Sequence, residues 1–124
     1  ANARRIDAEG LAARLAAAGH ATRRVEFAPR ALVLDRPVDV RRLPEFVEGL
    51  CSVQDAAAQL AVPLLACAPG SRVLDACAAP GGKACHLLEE VPDLAELVAL
   101  DVDAARAERI RDNLGRLGLH ATVT

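Results

Sequence analysis

Two patterns of apolar and polar positions alternate along the second half of the chain. Short segments with apolar centres, at residues 72–75, 97–101 and 121–124, are typical of buried strands. Between them, over about 82–90 and 104–117, apolar residues recur every three or four positions, as on one face of an amphipathic helix. Strands that alternate with helices predict a parallel sheet with right-handed crossovers. We therefore expect an α/β fold for this half.

The first third of the chain predicts a smaller α+β unit. A helix over about 8–18 follows Asp7, a residue type that favours the N-cap position. Two strands are expected at 22–27 and 31–35, because both segments are rich in apolar and β-branched residues. The proline-containing stretch 28–30 between them is predicted to be the turn. Together these elements predict a helix packed on a small antiparallel sheet.

A connector with two prolines joins the two units. We assign residues 1–44 to the small module and residues 45–124 to the sheet domain. A further helix is predicted to begin at Ser52, because Ser52 and Asp55 fit a capping-box pattern in which Asp replaces the usual Glu. Pro63 is expected to bend this helix near its end, because proline lacks the backbone N–H.

The composition is compatible with one ordinary domain. Hydrophobic residues make up 52% of the chain, but no apolar run reaches the roughly 18–20 residues of a membrane span. Because the chain starts at Ala1 and contains no methionine, we expect a segment of a longer protein, although N-terminal trimming could also remove a single Met. No secretory signal and no C-x-x-C pair are present, so we expect a cytoplasmic protein with reduced thiols. The four cysteines are Cys51, Cys67, Cys77 and Cys85.

Charge is distributed unevenly along the chain. Residues 1–42 contain nine arginines against five acidic residues, whereas the remainder is acidic. A basic first third can bind the phosphates of a nucleic acid, although the arginines could equally form an ordinary solvent-exposed surface. Because the chain has only two aromatic residues, base stacking is excluded as the main binding device. The candidate RNA-binding residues are Arg23, Arg24 and Arg30.

A glycine-containing loop, residues 77–83, separates the first predicted strand of the sheet from the helix that follows it. Such a loop lets a ligand approach the backbone and the N-terminus of the helix, as in nucleotide sites. It does not fit the Walker pattern, because Cys77 stands at the first glycine position and Ala84 at the Ser/Thr position. The G-x-G-x-x-G spacing of dinucleotide sites is also absent. ATP, GTP and NAD are therefore poor candidates.

The methyl-donor site of S-adenosylmethionine-dependent enzymes fits the loop better. Asp101 ends the second predicted strand, where a carboxylate can accept hydrogen bonds from both ribose hydroxyls. The alternative is that Asp101 only caps the next helix, although Asp103 is better spaced for capping. No metal site and no catalytic residue are predicted. The candidate cofactor-binding residues are Cys77, Ala78, Ala79, Pro80, Gly81, Gly82, Lys83 and Asp101.

Residues 75–83 resemble the cofactor motif of RNA cytosine-5 methyltransferases, and most closely the bacterial Sun/Fmu type. Residues 48–55 are similar to the segment that leads into the catalytic domain of that family. Residues 99–103 resemble the start of its second motif. Arg106, Asn113 and residues 116–118 continue that motif.

The resemblance implies the first half of a Rossmann-like, S-adenosylmethionine-dependent methyltransferase sheet, preceded by a small, partial RNA-binding module. The implied substrate is a cytosine of small-subunit ribosomal RNA. In the family, two cysteines after the third strand perform the chemistry, and these would lie beyond Thr124. Cys77 matches the cofactor loop instead of either of them. The resemblance therefore implies that this segment by itself is inactive.

Alternatives to this interpretation remain at the level of the sequence. Another Rossmann-like methyltransferase is one, and a non-catalytic RNA-binding module with a vestigial loop is the other. Because half of the sheet would be absent, we also expect an unpaired strand edge through which the chain could self-associate.

Overall fold

The computed structural model describes all residues from 1 to 124. In the first half, helix α1 (Ala8–Ala17) packs on an antiparallel pair of strands, β1 (Thr22–Val25) and β2 (Ala28–Leu34). The carboxylate of Asp7 accepts a hydrogen bond from the Gly10 amide at 2.7 Å, which confirms the predicted N-cap. The apolar core cluster of this half is formed by Leu11, Leu15 and Leu43.

The turn between β1 and β2 lies at residues 26–27, so the predicted turn at 28–30 is wrong. β2 already begins at Ala28, and a register shift after Arg24 pairs Val25 with Ala28. Pro29 fits within β2 because each strand of a two-stranded sheet has one open edge, where a missing N–H breaks no ladder bond. Burial of Ala28 also favours the earlier start of the strand.

The predicted helix from Ser52 is also wrong. Residues 51–55 have no regular structure, and a 3-10 turn, Ala57–Leu60, leads into the short helix α3 (Ala61–Leu65). Asp55 acts as the cap, because its carboxylate accepts a hydrogen bond from the Ala57 amide at 2.8 Å. An Asp side chain is too short to reach back and complete a capping box with Ser52. A second short helix, α2 (Pro44–Val47), lies in the connector.

The second half forms the predicted parallel sheet. Its strands lie side by side in the order β3 (Arg72–Asp75), β4 (Glu96–Ala99) and β5 (Thr122–Val123). Helix α4 (Gly82–Glu90) connects the first two strands, and helix α5 (Ala104–Leu117) connects the last two. Asp103 caps α5, as its spacing predicts, and Gly118 ends the helix in the left-handed conformation. No helix combines the length and apolarity that crossing a membrane requires.

The core of this half lies between the sheet and its two helices. Ile110 of α5 and Ala99 of β4 are completely buried at its centre. Around them pack apolar residues of α4 and of the segment after α5, including Leu87 and Leu119. The outer edge of β3 has no partner strand, and Leu74 on that strand is 62% exposed.

Ala66 ends α3 in the left-handed conformation, with φ of 48°. Because this conformation brings Cβ too close to the backbone, we expect Ala66→Gly to raise the free energy of unfolding by about 0.5–1 kcal/mol. Urea unfolding of both chains would measure the difference. Ala68→Gly is the control, since Ala68 is exposed and has no positive φ, and it should lower the free energy by a similar amount. A shift of both variants in the same direction would contradict the prediction.

Candidate cofactor-binding site

The glycine-containing loop lies at the carboxyl end of β3, the edge at which open α/β sheets hold their ligands. The amide of buried Ala78 donates to the carbonyl of Leu100 at 2.9 Å, which ties the loop to the chain just after β4. The Gly81 amide donates to the carbonyl of Ala78 at 2.6 Å and closes a tight turn. The loop is therefore an ordered turn that delivers the chain into α4.

The two glycines of the loop have different roles. Gly81 has φ of 95°, and a Cβ built on it would lie 3.2 Å from Cγ2 of Ile110. Both its conformation and its contact with α5 therefore favour glycine. Gly82 is the first residue of α4, and a Cβ there would meet nothing within 4 Å. Only Gly81 is required by the packing of the loop.

Asp101 lies directly beside the loop. Its Oδ2 accepts a hydrogen bond from the Ala79 amide at 3.2 Å and pairs with Nη2 of Arg106, also at 3.2 Å. Its Oδ1 accepts from the Asp103 amide at 3.2 Å, and the side chain is only 2% exposed. Asp103 caps α5 through the amides of residues 105 and 106, so capping the helix is not the role of Asp101. The carboxylate instead joins the end of β4 to the loop after β3.

Asp75 ends β3 just before the loop, and Lys83 is the last residue of the loop, in the first turn of α4. The carboxylate of Asp75 accepts from the Cys77 amide at 3.4 Å and so helps to orient the start of the loop. Lys83, the only lysine of the chain, is exposed and forms no ion pair. Both residues line a largely apolar cavity of about 180 Å³ that extends between β3 and α3. The ammonium group of Lys83 therefore has no ion-pair partner in the loop region.

The four cysteines are free thiols in four different environments. Burial, with a smaller contribution from Glu89, raises the pKa of the Cys85 thiol to about 12. Burial also raises the pKa of Cys51. Cys77 is exposed within the loop itself, and Cys67 is half-buried. No group of three or more metal-binding side chains converges anywhere in the chain.

The three arginines predicted to contact RNA have different surroundings. Arg23 and Arg24 are exposed on neighbouring positions of β1, and Nη1 of Arg24 donates to the Pro29 carbonyl at 3.2 Å. Nε of Arg30 lies 2.6 Å from Oε1 of Glu90 on α4. Arg30 therefore connects the two halves of the molecule, whereas Arg23 and Arg24 stay open to a ligand.

Asn113 contacts the loop from α5, a role that the sequence analysis did not assign to it, although Asn113 lies in the segment that resembles the second motif of the family. Its Nδ2 donates to the carbonyl of Pro80 in the loop at 2.9 Å, across 33 positions of the chain. Its Oδ1 accepts from Nη2 of Arg116 at 3.2 Å. A polar pair at positions i and i+3 next to the apolar face of α5 is the only signal in the sequence that could have indicated this contact.

Alkylation should discriminate among these thiols. With a pKa of about 12, only about one Cys85 side chain in ten thousand is a thiolate at pH 8. We expect iodoacetamide at pH 8 to modify Cys77 first and Cys85 only after unfolding in urea, as measured by mass spectrometry of tryptic peptides. Equal rates at Cys77 and Cys85 in the folded chain would contradict the burial of Cys85.

Comparisons with known proteins agree with this geometry. A family model described as 16S rRNA methyltransferase RsmB/F matches residues 62–124. Ribosomal RNA small subunit methyltransferase B of Pseudomonas syringae is 61% identical over 95 residues, which are 77% of this chain and 21% of that protein. The protein of the same name from Pseudomonas putida is 51% identical over 120 residues, covering 97% of this chain and 28% of the relative.

A crystal structure of a methyltransferase homologue from Pyrococcus horikoshii has the same fold. It superposes with a TM-score of 0.85 at 34% identity, over 98% of this chain and 40% of that one. The chain thus spans between a fifth and a third of the length of the curated relatives it matches. These matches confirm the resemblance drawn from the loop motif and the predicted fold class. The chain belongs to the 16S rRNA methyltransferase RsmB/F family.

Proposed function

We propose that this chain is the S-adenosylmethionine-binding part of a ribosomal RNA cytosine-5 methyltransferase. One observation carries the proposal, namely the 3.2 Å hydrogen bond from the Ala79 amide to the carboxylate of Asp101. It brings a carboxylate that suits ribose hydroxyls next to a glycine turn that suits the amino-acid end of the cofactor. The relatives named ribosomal RNA small subunit methyltransferase B support the assignment of the reaction.

The residues of the loop fit such a cofactor chemically. S-adenosylmethionine, when bound, supplies an activated methyl group. The backbone N–H groups at the start of α4 have no partner within the helix and favour a carboxylate, and Lys83 adds a positive charge beside them. Gly81 allows the chain to turn into α4 with a positive φ and without crowding Ile110, so the start of α4 lies directly after the loop. We assign the cofactor to residues 77–83 and to Asp101.

Arg106 would have to share Asp101 with the cofactor. The Arg106 side chain is half-exposed, and its guanidinium pairs with Oδ2 of Asp101. Ribose hydroxyls can take the place of this guanidinium, because they donate hydrogen bonds to the same carboxylate, while the half-exposed arginine side chain can turn toward water. Arg106 is thus expected to move when the cofactor binds.

None of the four thiols is suited to attack a cytosine ring. A nucleophilic cysteine must be accessible and readily ionised. Cys85 is buried and Cys51 half-buried, and both have raised pKa values. Cys67 packs half-buried against the core, and Cys77 belongs to the turn that would hold the cofactor. We propose that residues 1–124 supply the methyl donor site but no nucleophile, and that they do not transfer a methyl group by themselves.

Substitution of Asp101 tests the cofactor assignment. Asp101→Asn removes the negative charge without changing the shape of the side chain. Because hydrogen bonds to charged groups contribute about 1.5–3 kcal/mol, we expect the Kd for S-adenosylhomocysteine, measured by calorimetry, to rise roughly tenfold or more. Asp103→Asn is the control, since Asn caps helices as well as Asp does and the change in net charge is the same.

Two results would contradict the proposal. Equal affinities of the Asp101 and Asp103 variants would remove Asp101 from the site. Failure of the unsubstituted chain to bind S-adenosylhomocysteine at millimolar concentration would remove the cofactor itself.

The exposed arginines of β1 are the proposed contact with ribosomal RNA. Arg23 and Arg24 are open to solvent on a strand that carries no other charged residue. Arginine donors bind phosphate oxygens in a bidentate manner without reading sequence. We infer that this strand orients the RNA backbone relative to the loop.

Salt dependence tests this contact. In the double variant Arg23→Ala and Arg24→Ala, we expect weaker binding to small-subunit ribosomal RNA fragments. The slope of log K against log salt concentration should also be less steep by about 1.4, because each of the two lost phosphate contacts on a single strand contributes about 0.7. Arg109→Ala with Arg111→Ala changes the net charge equally on α5 and is the control. Identical slopes for the two double variants, measured by fluorescence anisotropy, would exclude β1 as the RNA surface.

A further inference from the structure

Asn113 makes the only side-chain hydrogen bond from α5 to the loop. Its Nδ2 donates to the Pro80 carbonyl at 2.9 Å, immediately before the chain turns at Gly81. This carbonyl is an acceptor only, so the amide nitrogen must face it, and the amide oxygen must face the donor on Arg116 at 3.2 Å. Both ends of the Asn113 amide are therefore fixed by different partners, and the side chain has a single favourable orientation.

Arg116 connects this amide to the other half of the molecule. Its Nη1 donates to the carbonyls of Phe46 at 2.7 Å and Cys51 at 2.9 Å. The guanidinium also stacks 3.8 Å from the centre of the Phe46 ring. Four contacts thus hold one planar group in place. A lysine could not reproduce them, because an ammonium group lacks the planar set of donors.

The backbone around Gly49 packs against the same turn of α5. Gly49 has φ of 74°, and a Cβ built on it would lie 2.1 Å from the carbonyl oxygen of Arg116. The connector segment between Phe46 and Cys51 is therefore seated directly on the last turn of α5. Any shift of this segment must move Arg116, since the two share hydrogen bonds and backbone contact.

The loop is held from two sides. On one side Asp101 binds the amide of Ala79, and on the other Asn113 binds the carbonyl of Pro80. These two hydrogen bonds are made to adjacent residues, so together they fix the position at which the chain enters the turn at Gly81. Loss of either hydrogen bond removes one of the two side-chain contacts that hold this part of the loop.

We propose that Asn113 is a positioning residue for the cofactor loop and that Arg116 orients it, so that the connector segment and the loop are mechanically coupled. The effect on ligand binding rests on the proposed function, because it requires the cofactor to bind at residues 77–83. Asn113 itself need not touch the cofactor. It acts through the backbone of Pro80, and Arg116 acts through Asn113.

Nitrogen-15 NMR of the full chain can test this role with and without ligand. Asn113→Asp keeps the shape of the side chain but cannot donate to the Pro80 carbonyl. We expect it to shift the amide resonances of Gly81 and Gly82 in the ligand-free chain and to weaken S-adenosylhomocysteine binding roughly threefold to tenfold. Asp112→Asn is the matched control, because Asp112 is an exposed neighbour on α5 with no hydrogen-bond partner, and it should change neither.

Arg116→Lys is the second variant. It keeps the positive charge but loses the fixed orientation of Asn113, so it should shift the same two glycine resonances in the same direction by a smaller amount. Unfolding midpoints in urea provide the check on folding. A merely structural role would lower the midpoint without a specific effect at residues 81 and 82.

The outcomes separate this proposal from the cofactor assignment. If the loop resonances shift in both variants and stay in place in the control, the positioning role is supported. If in addition no chain binds S-adenosylhomocysteine, only the cofactor assignment fails. Loop resonances at their original positions in Asn113→Asp and Arg116→Lys would overturn the positioning role, whatever the ligand affinity.

Discussion

Packing of α5 against the parallel sheet is the interaction on which the rest of the structure depends. Ile110 is completely buried at this contact, and burial of such a side chain contributes roughly 1.5–3 kcal/mol. The same side chain fills the space beside Gly81 and thereby shapes the loop. The N-terminus of α5 lies beside Asp101, and its last turn carries Arg116. One helix therefore fixes both sides of the site and the connector to the first half.

The Asp101 carboxylate is fully hydrogen-bonded without a ligand. Burial of a carboxylate is unfavourable unless its oxygens are hydrogen-bonded, and Asp101 has two backbone amides and the Arg106 guanidinium as donors. A ligand at Asp101 must therefore exchange one set of hydrogen bonds for another. Such an exchange of hydrogen bonds yields less free energy than binding to an unsatisfied carboxylate. The affinity of a ligand must therefore come from several contacts together. A cofactor that spans the loop and the end of β4, as proposed, would make several such contacts.

The elements fixed by local chemistry were predictable from the sequence. The caps Asp7 and Asp103 depend on neighbouring backbone groups, and the strands of the sheet on short apolar runs. The start of β2 and the cap at Asp55 were missed because they depend on edge exposure and on side-chain reach. The bond from Asn113 to Pro80 joins residues 33 positions apart, so no local pattern encodes it. The division at residue 44, the unpaired β3 edge as a route to self-association, and the ligands of the loop stay predictions.

Lys83 has a practical consequence that follows from its being the single lysine of the chain. The fourteen other basic residues are arginines, which do not react with amine-directed reagents. An activated ester would therefore attach a fluorophore to one side chain only, at the first turn of α4 and beside the loop, with the α-amino group as the only other primary amine. The molecule thus contains a built-in attachment point for an optical reporter of whatever enters the loop.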